Sequence, residues 1–202
     1  MIILEKKPKI NIKKIPPYLI YEELDGKLLP YKGFRDVLKG IKKIEDIMGS
    51  SSLQAFIVSY VYGFIFNKID RKKYFLFTNE AGLHVGAGDN LANDIAIVEK
   101  ENLVFNEKYF NKAPKIAIEV DVKIDLSLTE WTNEWDYVIA KSNKMLDFGT
   151  EKVIWITTKS KKIFVSSKTE RWYLVDFHED IPLFEGCVLN LQSLLDEEGV
   201  KF

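Results

Sequence analysis

The sequence has 202 residues, which suits one domain with a hydrophobic core of its own. Its 47% apolar and 29% charged residues are the composition of an ordinary globular protein. The 29 basic and 30 acidic residues give a net charge of -1, which excludes a strongly basic nucleic-acid binder and leaves only local basic patches for that purpose. Cys187 is the single cysteine, so an intramolecular disulfide and a cysteine-based zinc site are also excluded.

Residues 1–17, MIILEKKPKINIKKIPP, predict a basic arm in front of a single domain at residues 18–202. The apolar run in this segment is too short, and too interrupted by lysines, for a signal peptide. A run of about 18 apolar residues, as a membrane span needs, occurs nowhere in the sequence. We therefore expect a soluble, cytoplasmic protein. The arm is either a solvated leader or a contact to phosphates through Lys6, Lys7, Lys9, Lys13 and Lys14.

Residues 18–31, YLIYEELDGKLLPY, predict a β-hairpin. Apolar residues continue up to Tyr21, and Asp25 with Gly26 is a dipeptide typical of a tight turn between two strands. Glu22 lies just before that turn.

Two helices are predicted next. Residues 34–48 have apolar side chains at helical spacing, with charged side chains between them, and Gly49 ends the pattern. Residues 53–68, capped by the serines at 50–52, predict a longer helix that is apolar on nearly every side. Such a helix is buried by a sheet, by another helix or by a partner subunit. We therefore expect a homodimer.

The pattern changes to an alternation of period two after residue 73. The stretches YFLFT, GLHVG and NDIAIV predict three strands, separated by Asn79 and Glu80 and by a glycine-containing loop at residues 86–93. This loop lacks the lysine and hydroxyl residue of a P-loop. Asp94 leads directly into the apolar run of the third strand, so we expect its carboxylate at the beginning of a buried strand.

The stretch PKIAIEVDVK, residues 114–123, predicts the central strand. Its even-numbered apolar residues point to one face, whereas Glu119, Asp121 and Lys123 point to the other. If this strand pairs with the preceding one, Asp94 and Glu119 lie side by side and can share a divalent cation such as Mg²⁺, which prefers carboxylate and carbonyl oxygens. The alternative is a solvated strand face with an internal ion pair.

The remaining sequence predicts a helix at residues 128–148, capped by residues 125–127 and ended by Gly149. The stretches KVIWITT, KKIFVSS and RWYLVDF predict three further strands, and VLNLQSLL predicts a short closing helix or turn. Because no repeat or linker interrupts the pattern, we predict a single α+β domain with a mixed or antiparallel central sheet flanked by helices.

An acid before one strand, a carboxylate in the next and a following helix with a lysine form the layout of PD-(D/E)xK nucleases. More closely, the chain resembles the Uma-type (DUF820-like) family of restriction endonucleases from residue 21 to about residue 195. The segments similar to that family's motifs are YEELDGKL, NDIAIV, PKIAIEVDV and KSNKMLDFGTEKVIWI. The resemblance implies a restriction-endonuclease-like core and a Mg²⁺- or Mn²⁺-dependent endonuclease that hydrolyses DNA.

The resemblance also implies roles for individual residues. Asp94 and Glu119 would bind the metal, together with the Val120 carbonyl and Asp121, and Glu22 would be an additional catalytic acid. Lysine is expected two residues after the glutamate in the wider fold, where this chain has Asp121.

In the Uma-type proteins that lysine is on the following helix, and Lys141 is the matching residue. Lys123 and Lys144 are alternatives. The sequence departs from the family's pattern at Asn93, which replaces a proline, and at Gln54, which stands where a His-Gln pair is expected.

Two other classes of function remain open. The chain can be a catalytically inactive nuclease-fold protein that binds nucleic acid or another partner, or a metal-dependent hydrolase of small phosphate esters. Contacts to DNA would have to come from lysines and arginines outside the acidic centre. The candidates are the amino-terminal lysines, residues 71–73, Lys159, Lys161 and Lys162.

Overall fold

The structure, a computed structural model, describes residues 15–201. The lysines of the predicted basic arm, at residues 1–14, lie outside the described residues. The strands are β1 (Ile20–Leu24), β2 (Lys27–Pro30), β3 (Tyr74–Gly86), β4 (Asp89–Glu99), β5 (Ile116–Val120), β6 (Lys152–Thr157), β7 (Lys162–Ser167), β8 (Tyr173–Asp176), β9 (Ile181–Phe184) and β10 (Cys187–Leu189). The helices are α1 (Phe34–Leu38), α2 (Glu45–Met48), α3 (Ser52–Phe66), α4 (Glu134–Phe148) and α5 (Leu191–Glu197).

Eight strands form one sheet in the order β2-β1-β4-β5-β6-β7-β8, and β3 pairs with β4 off this path. Among the strands named above, β5 and β6 alone pair in parallel, and α4 lies in the connection between them. All other pairs in this sheet are antiparallel. The strands β9 and β10 form a separate hairpin. The α+β fold with a mixed, mainly antiparallel sheet is therefore confirmed.

The central strand β5 is buried on both faces. On one face Ile116, Ile118 and Val120 belong to a core that includes the inner side of α3. On the other face Ala117 belongs to a core formed with α4 and Trp155. The alternation expected from the sequence is correct, but the second face is covered by a helix. Charged groups on that face are consequently enclosed by protein and do not form a solvated surface.

The predicted helix at residues 34–48 is wrong in part, because two short helices, α1 and α2, replace it. Gly40, between them, has a φ of 70°, which lies in the left-handed region and ends the first helix. The helix predicted at residues 128–148 begins later, at Glu134. Asp125 caps a short 3-10 turn, with its carboxylate accepting from the Ser127 N–H, whereas Asn133 caps α4 itself.

The two strands predicted from YFLFT and GLHVG are one long strand, β3, which the sequence pattern divided at a bulge. Asn79 and Glu80 at this bulge have φ values of 67° and 55°. The glycine-containing segment is a tight turn at residues 87 and 88 and otherwise belongs to β3 and β4. Asp94 therefore lies in the middle of a strand and not at its beginning.

Several local predictions are confirmed. Asp25 and Gly26, with φ values of 51° and 70°, form the hairpin turn between β1 and β2. The predicted long helix corresponds to α3, and the three strands after Gly149 correspond to β6, β7 and β8. No helix in residues 15–201 has the length and apolarity to cross a membrane.

The start of α4 provides a test of the local structure that positions its side chains. Asn133 accepts hydrogen bonds from the N–H groups of Trp135 and Asp136, and Asp136 accepts from the Asn133 N–H in return. We expect Asn133→Ala to lower the free energy of unfolding by about 1 kcal/mol, measured by urea denaturation. Asn133→Asp keeps the accepting oxygen and should unfold near the wild-type midpoint. Equal midpoints for all three proteins would contradict this assignment of the cap.

Candidate functional site

The candidate site begins at an irregularity in the β3–β4 ladder. Thr78 pairs with Ile95 and Ala81 pairs with Asn93, so two residues of β3 stand opposite Asp94 alone. A bulge of this kind changes the direction in which side chains leave the strand. On the other side of β4, Ile95 pairs with Ile118 of β5. Asp94 and Glu119 are therefore the next residues along two adjacent strands.

The carboxylate of Asp94 is almost completely buried and is held on both oxygens. Oδ2 accepts from the Val120 N–H at 2.7 Å, and Oδ1 accepts from the Lys123 ammonium at 2.8 Å. The same ammonium donates to Glu80 at the bulge, at 2.8 Å. Asp94 thus fastens the end of β5 to β4 and shares a cation with the bulged strand.

Glu119 is buried beside a second lysine. Its Oε1 accepts from the Asn93 side-chain amide at 2.9 Å and lies 3.1 Å from the Lys141 Nζ. Lys141 also donates to Glu22 Oε1 at 2.6 Å, and the other oxygen of Glu22 accepts from the Tyr137 hydroxyl at 2.5 Å. The structure therefore brings together three of the predicted catalytic residues, Glu22, Glu119 and Lys141.

These buried groups also complete the sheet. β1 pairs with β4 at Asn90, and β5 pairs with β4 at residues 95–97, so Ala92 lies between the two partner strands. The Ala92 N–H donates to Glu22 Oε1 at 2.9 Å, and the Ala92 carbonyl accepts from Lys141 at 2.7 Å. Two charged side chains thus satisfy backbone groups that would otherwise be buried without partners.

The buried cluster contains one ammonium and two carboxyl groups. Burial raises the pKa of Glu119 to about 8; Lys141 opposes this shift, while Asp94 and Glu22 add to it. Burial alone would lower the pKa of Lys141, but Glu119 and Glu22 outweigh it and raise the pKa above its ordinary value. A cation with two acids in a buried site is balanced when one acid keeps its proton. Burial raises the pKa of Glu119, so its carboxyl group is easier to protonate than an exposed glutamate.

Asp121 does not join Asp94 and Glu119. The strand ends at Val120, and Asp121 adopts a φ of 59°, which turns its side chain toward the connection after β6. There its carboxylate accepts from the Thr158 N–H and hydroxyl, at 2.8 and 2.7 Å. The Val120 carbonyl, the other predicted metal ligand, accepts from the Gln54 amide of α3 at 2.6 Å. Both groups are therefore engaged by other parts of the protein.

The two lysines differ in their access to solvent. The Lys141 side chain is 1% exposed, whereas the Lys123 side chain is 14% exposed. Lys123, Asp94 and Glu80 line an open groove of about 440 Å³ between α3 and the β3 bulge, with Ser59 on its helical side. Burial alone would lower the pKa of Lys123, but Asp94 and Glu80 raise it, so the ammonium in this groove stays charged.

Lys144, the third candidate lysine, lies elsewhere. It pairs with Asp25 at 2.5 Å and with Asp89 at 3.1 Å, near the hairpin turn. These contacts assign Lys144 to the support of the hairpin and not to the groove beside Asp94.

Asp94 and Glu119 would be the protein ligands of a divalent cation. Two carboxylates fit Mg²⁺, which usually keeps several water molecules and takes one or two carboxylates from the protein. Within residues 15–201, no three side chains of the types His, Cys, Asp and Glu are grouped so as to hold a metal ion.

Three residues of the site were not identified from the sequence as functional. Asn93 orients Glu119, Tyr137 donates to Glu22, and Glu80 shares Lys123 with Asp94. Tyr137 precedes Lys141 by one helical turn, a spacing that places both on the same face of α4. The positive φ of Glu80 leaves no comparable signal in the sequence.

Comparison with solved structures identifies a neighbour of the same fold. This is a crystal structure of "a putative nuclease belonging to DUF820" from Anabaena variabilis ATCC 29413, with a TM-score of 0.59 and 16% sequence identity, over 87% of this chain and 89% of the neighbour. No protein-family model and no curated protein matches the sequence. The neighbour comes from the family that the sequence motifs resemble, and the shared fold agrees with that resemblance.

The raised pKa of Glu119 predicts a pH dependence of stability in the absence of metal. The folded protein keeps the Glu119 proton up to about pH 8, whereas an unperturbed glutamate releases it near 4.5. Between these values the folded state binds more protons, so the free energy of unfolding falls as the pH rises. Lys141, with a pKa above its ordinary value, stays protonated throughout this range and adds no slope.

We therefore expect wild type, in a chelator, to lose stability more steeply between about pH 5 and pH 8 than Glu119→Gln, which cannot titrate there. Denaturant unfolding at a series of pH values measures both slopes. Parallel curves for the two proteins would show that Glu119 titrates at its ordinary pKa.

Proposed function

We propose that this chain is a metal-dependent nuclease that hydrolyses phosphodiester bonds of DNA. The observation that carries the proposal is the placement of Asp94 and Glu119 on adjacent strands, with Lys123 beside Asp94 in an open groove. The DUF820 neighbour, described as a "putative nuclease", has the same fold and is the second source of support. An open groove also suits a polymeric substrate better than it suits a small phosphate ester.

Asp94 and Glu119 would hold Mg²⁺ or Mn²⁺. When bound, such an ion lowers the pKa of a coordinated water and neutralises charge on the scissile phosphate. Asp94 is fixed for this role by the Val120 N–H, and Glu119 is fixed by the Asn93 amide. Both carboxylates are therefore oriented before a substrate arrives, which reduces the reorganisation that binding requires.

The two lysines have different roles in this proposal. Lys123 lines the groove and can reach a phosphate by exchanging one of its two carboxylate partners. Lys141 is enclosed and donates to Glu22 and the Ala92 carbonyl, in addition to its ion pair with Glu119. Lys123 is therefore the proposed catalytic lysine, and Lys141 is a positioning residue. This assignment differs from the expectation drawn from the family resemblance.

An inactive nuclease fold that binds nucleic acid or another partner is the second candidate. The observation that favours it is that each charged group of the site already has partners within the protein. Asp94 is bonded on both oxygens, Glu119 contacts Asn93 and Lys141, and the Val120 carbonyl is bonded to Gln54.

Cleavage assays test the nuclease proposal. Purified wild type is incubated with single-stranded, double-stranded and branched DNA in Mg²⁺ or Mn²⁺, beside Asp94→Asn, Glu119→Gln and Lys123→Gln. We expect cleavage by wild type and a loss of about 100-fold or more in each variant, since each removes a charge at the reacting phosphate or metal. Lys141→Met should instead lower the free energy of unfolding by about 3–5 kcal/mol, because it leaves two acids without their buried cation.

Asp89→Asn is the matched control. Asp89 is also buried, is also on β4, and bonds to a backbone N–H and a lysine, but it lies outside the groove. It should cleave at the wild-type rate. Wild type that neither cleaves nor shows metal-binding heat in calorimetry would overturn the nuclease proposal in favour of the second candidate. Undiminished cleavage by Asp94→Asn would show that the cleavage does not come from this site.

A homodimer is part of the proposal. The sheet covers the side of α3 with Ile57 and Val61, whereas Phe56 and Phe64 remain half-buried and Phe66 is exposed. Apolar side chains around the whole helix are typical of burial by a further partner. Light scattering should give a mass of about twice 23.4 kDa. A monomeric mass would refute dimerisation without affecting the assignment of the active site.

A further inference from the structure

Tyr109 is an exposed aromatic residue on a fixed backbone. It is 57% exposed, yet the next residue, Phe110, pairs with β3 as a short parallel bridge. The Phe110 N–H donates to the Gly82 carbonyl at 2.9 Å, and the Phe110 carbonyl accepts from the His84 N–H at 2.7 Å. Exposed side chains at the ends of long loops usually lack such anchors. Tyr109 is thus held in place at the surface.

The ring of Tyr109 lies on Gly82. A Cβ atom at position 82 would be 2.6 Å from Cδ1 of the ring and 2.8 Å from both Cε1 and Cγ. Nearly equal distances to three ring atoms mean that the face of the ring, and not its edge, covers the glycine. One face is therefore seated on bare backbone, and the exposed fraction belongs mainly to the opposite face. Any larger residue at position 82 would lift the ring.

Two neighbouring depressions share Tyr109 and Asn90. One, of about 420 Å³, is lined by amide, imidazole and ammonium groups from residues that include His84 and Lys108. The other, of about 330 Å³, is lined by the hairpin residues Tyr21, Glu22 and Glu23 and by apolar residues before them. Side-chain amides and carboxylates supply the paired donors and acceptors that match the edges of nucleobases.

Tyr21 connects these depressions to the groove that contains Asp94. The Lys123 ammonium, which lines that groove, lies 5.6 Å from the centre of the Tyr21 ring. Tyr21 in turn lines the depression shared with Tyr109. Tyr21 therefore lies between the groove of Asp94 and Lys123 and the depression that contains Tyr109, and these surfaces together are called the track.

We propose that this track binds a single-stranded segment of nucleic acid, with one base stacked on the open face of Tyr109. The inference deepens the proposed nuclease function and rests on it for the identity of the ligand. Aromatic rings that stack on bases are a general means of binding single strands. Glu23 beside the track disfavours a second phosphate backbone, so an unpaired strand with its bases turned inward fits better than a duplex.

Binding without cleavage tests the track. Fluorescence anisotropy in EDTA measures the affinity for a labelled single strand of about 16 nucleotides and for the duplex of the same sequence. We expect wild type to prefer the single strand. Tyr109→Ala should weaken that binding by about 5- to 150-fold, which corresponds to the loss of one stacked base. Tyr109→Phe, which keeps the ring, should bind like wild type.

Phe105→Ala is the matched control. Phe105 is on the same loop and is 63% exposed, but it lines neither depression, so its removal should leave the affinity unchanged. Equal affinity of Tyr109→Ala and wild type, or tighter binding of the duplex, would overturn the inference. Cleavage by wild type, measured separately in Mg²⁺ or Mn²⁺, distinguishes the two proposals. Tyr109-dependent binding by a wild-type protein that does not cleave DNA would support the track and overturn the nuclease proposal.

Discussion

The buried backbone N–H and carbonyl of Ala92, which lie on β4 between the residues paired with β1 and with β5, are the constraint on which this architecture depends. A buried N–H and carbonyl without partners would each cost free energy comparable to a lost hydrogen bond. Glu22 of the hairpin accepts from the Ala92 N–H, and Lys141 of α4 donates to the Ala92 carbonyl. Glu119 then pairs with Lys141, and the Tyr137 hydroxyl donates to Glu22. One ionic cluster thereby ties the hairpin, β4, β5 and α4 together.

The structural role of Lys141 limits the part that it can take in catalysis. The Lys141 side chain is 1% exposed, and its ammonium contacts three oxygen atoms. It cannot move to a substrate without leaving Glu22 and Glu119 buried and without a cation to balance their charge. Lys123 has no such burden, since it bonds to Asp94 and Glu80 at the edge of a groove. A lysine paired with carboxylates thus stabilises the fold at Glu22 and Glu119, whereas at Asp94 and Glu80 it is accessible to a ligand.

The sequence predicted the fold class, the hairpin and the pair of acids because these depend on local pattern. Residues 25 and 26 have a turn preference of their own, and the alternation around Ile116 and Ile118 is undisturbed by distant contacts. Two of the wrong predictions involve backbone positions with positive φ. Gly40 divided a helix, and Asn79 with Glu80 marked a bulge within a strand that the pattern separated into two. Contacts between residues far apart in the sequence impose these conformations, and a charged residue such as Glu80 does not indicate a positive φ in the sequence.

The left-handed turn at Asp121 has a consequence for how related chains are recognised. With a φ of 59° at this residue, the backbone redirects position 121 toward Thr158, and the next side chain to reach Asp94 is that of Lys123. A lysine engineered at position 121 would follow the same redirection and would not restore the familiar glutamate-x-lysine spacing. Under the proposed role of Lys123, the signature of such a site is glutamate, three residues and lysine, with aspartate, asparagine or glycine second after the glutamate, because these residues tolerate the turn. Searches written for the shorter spacing would pass over such chains.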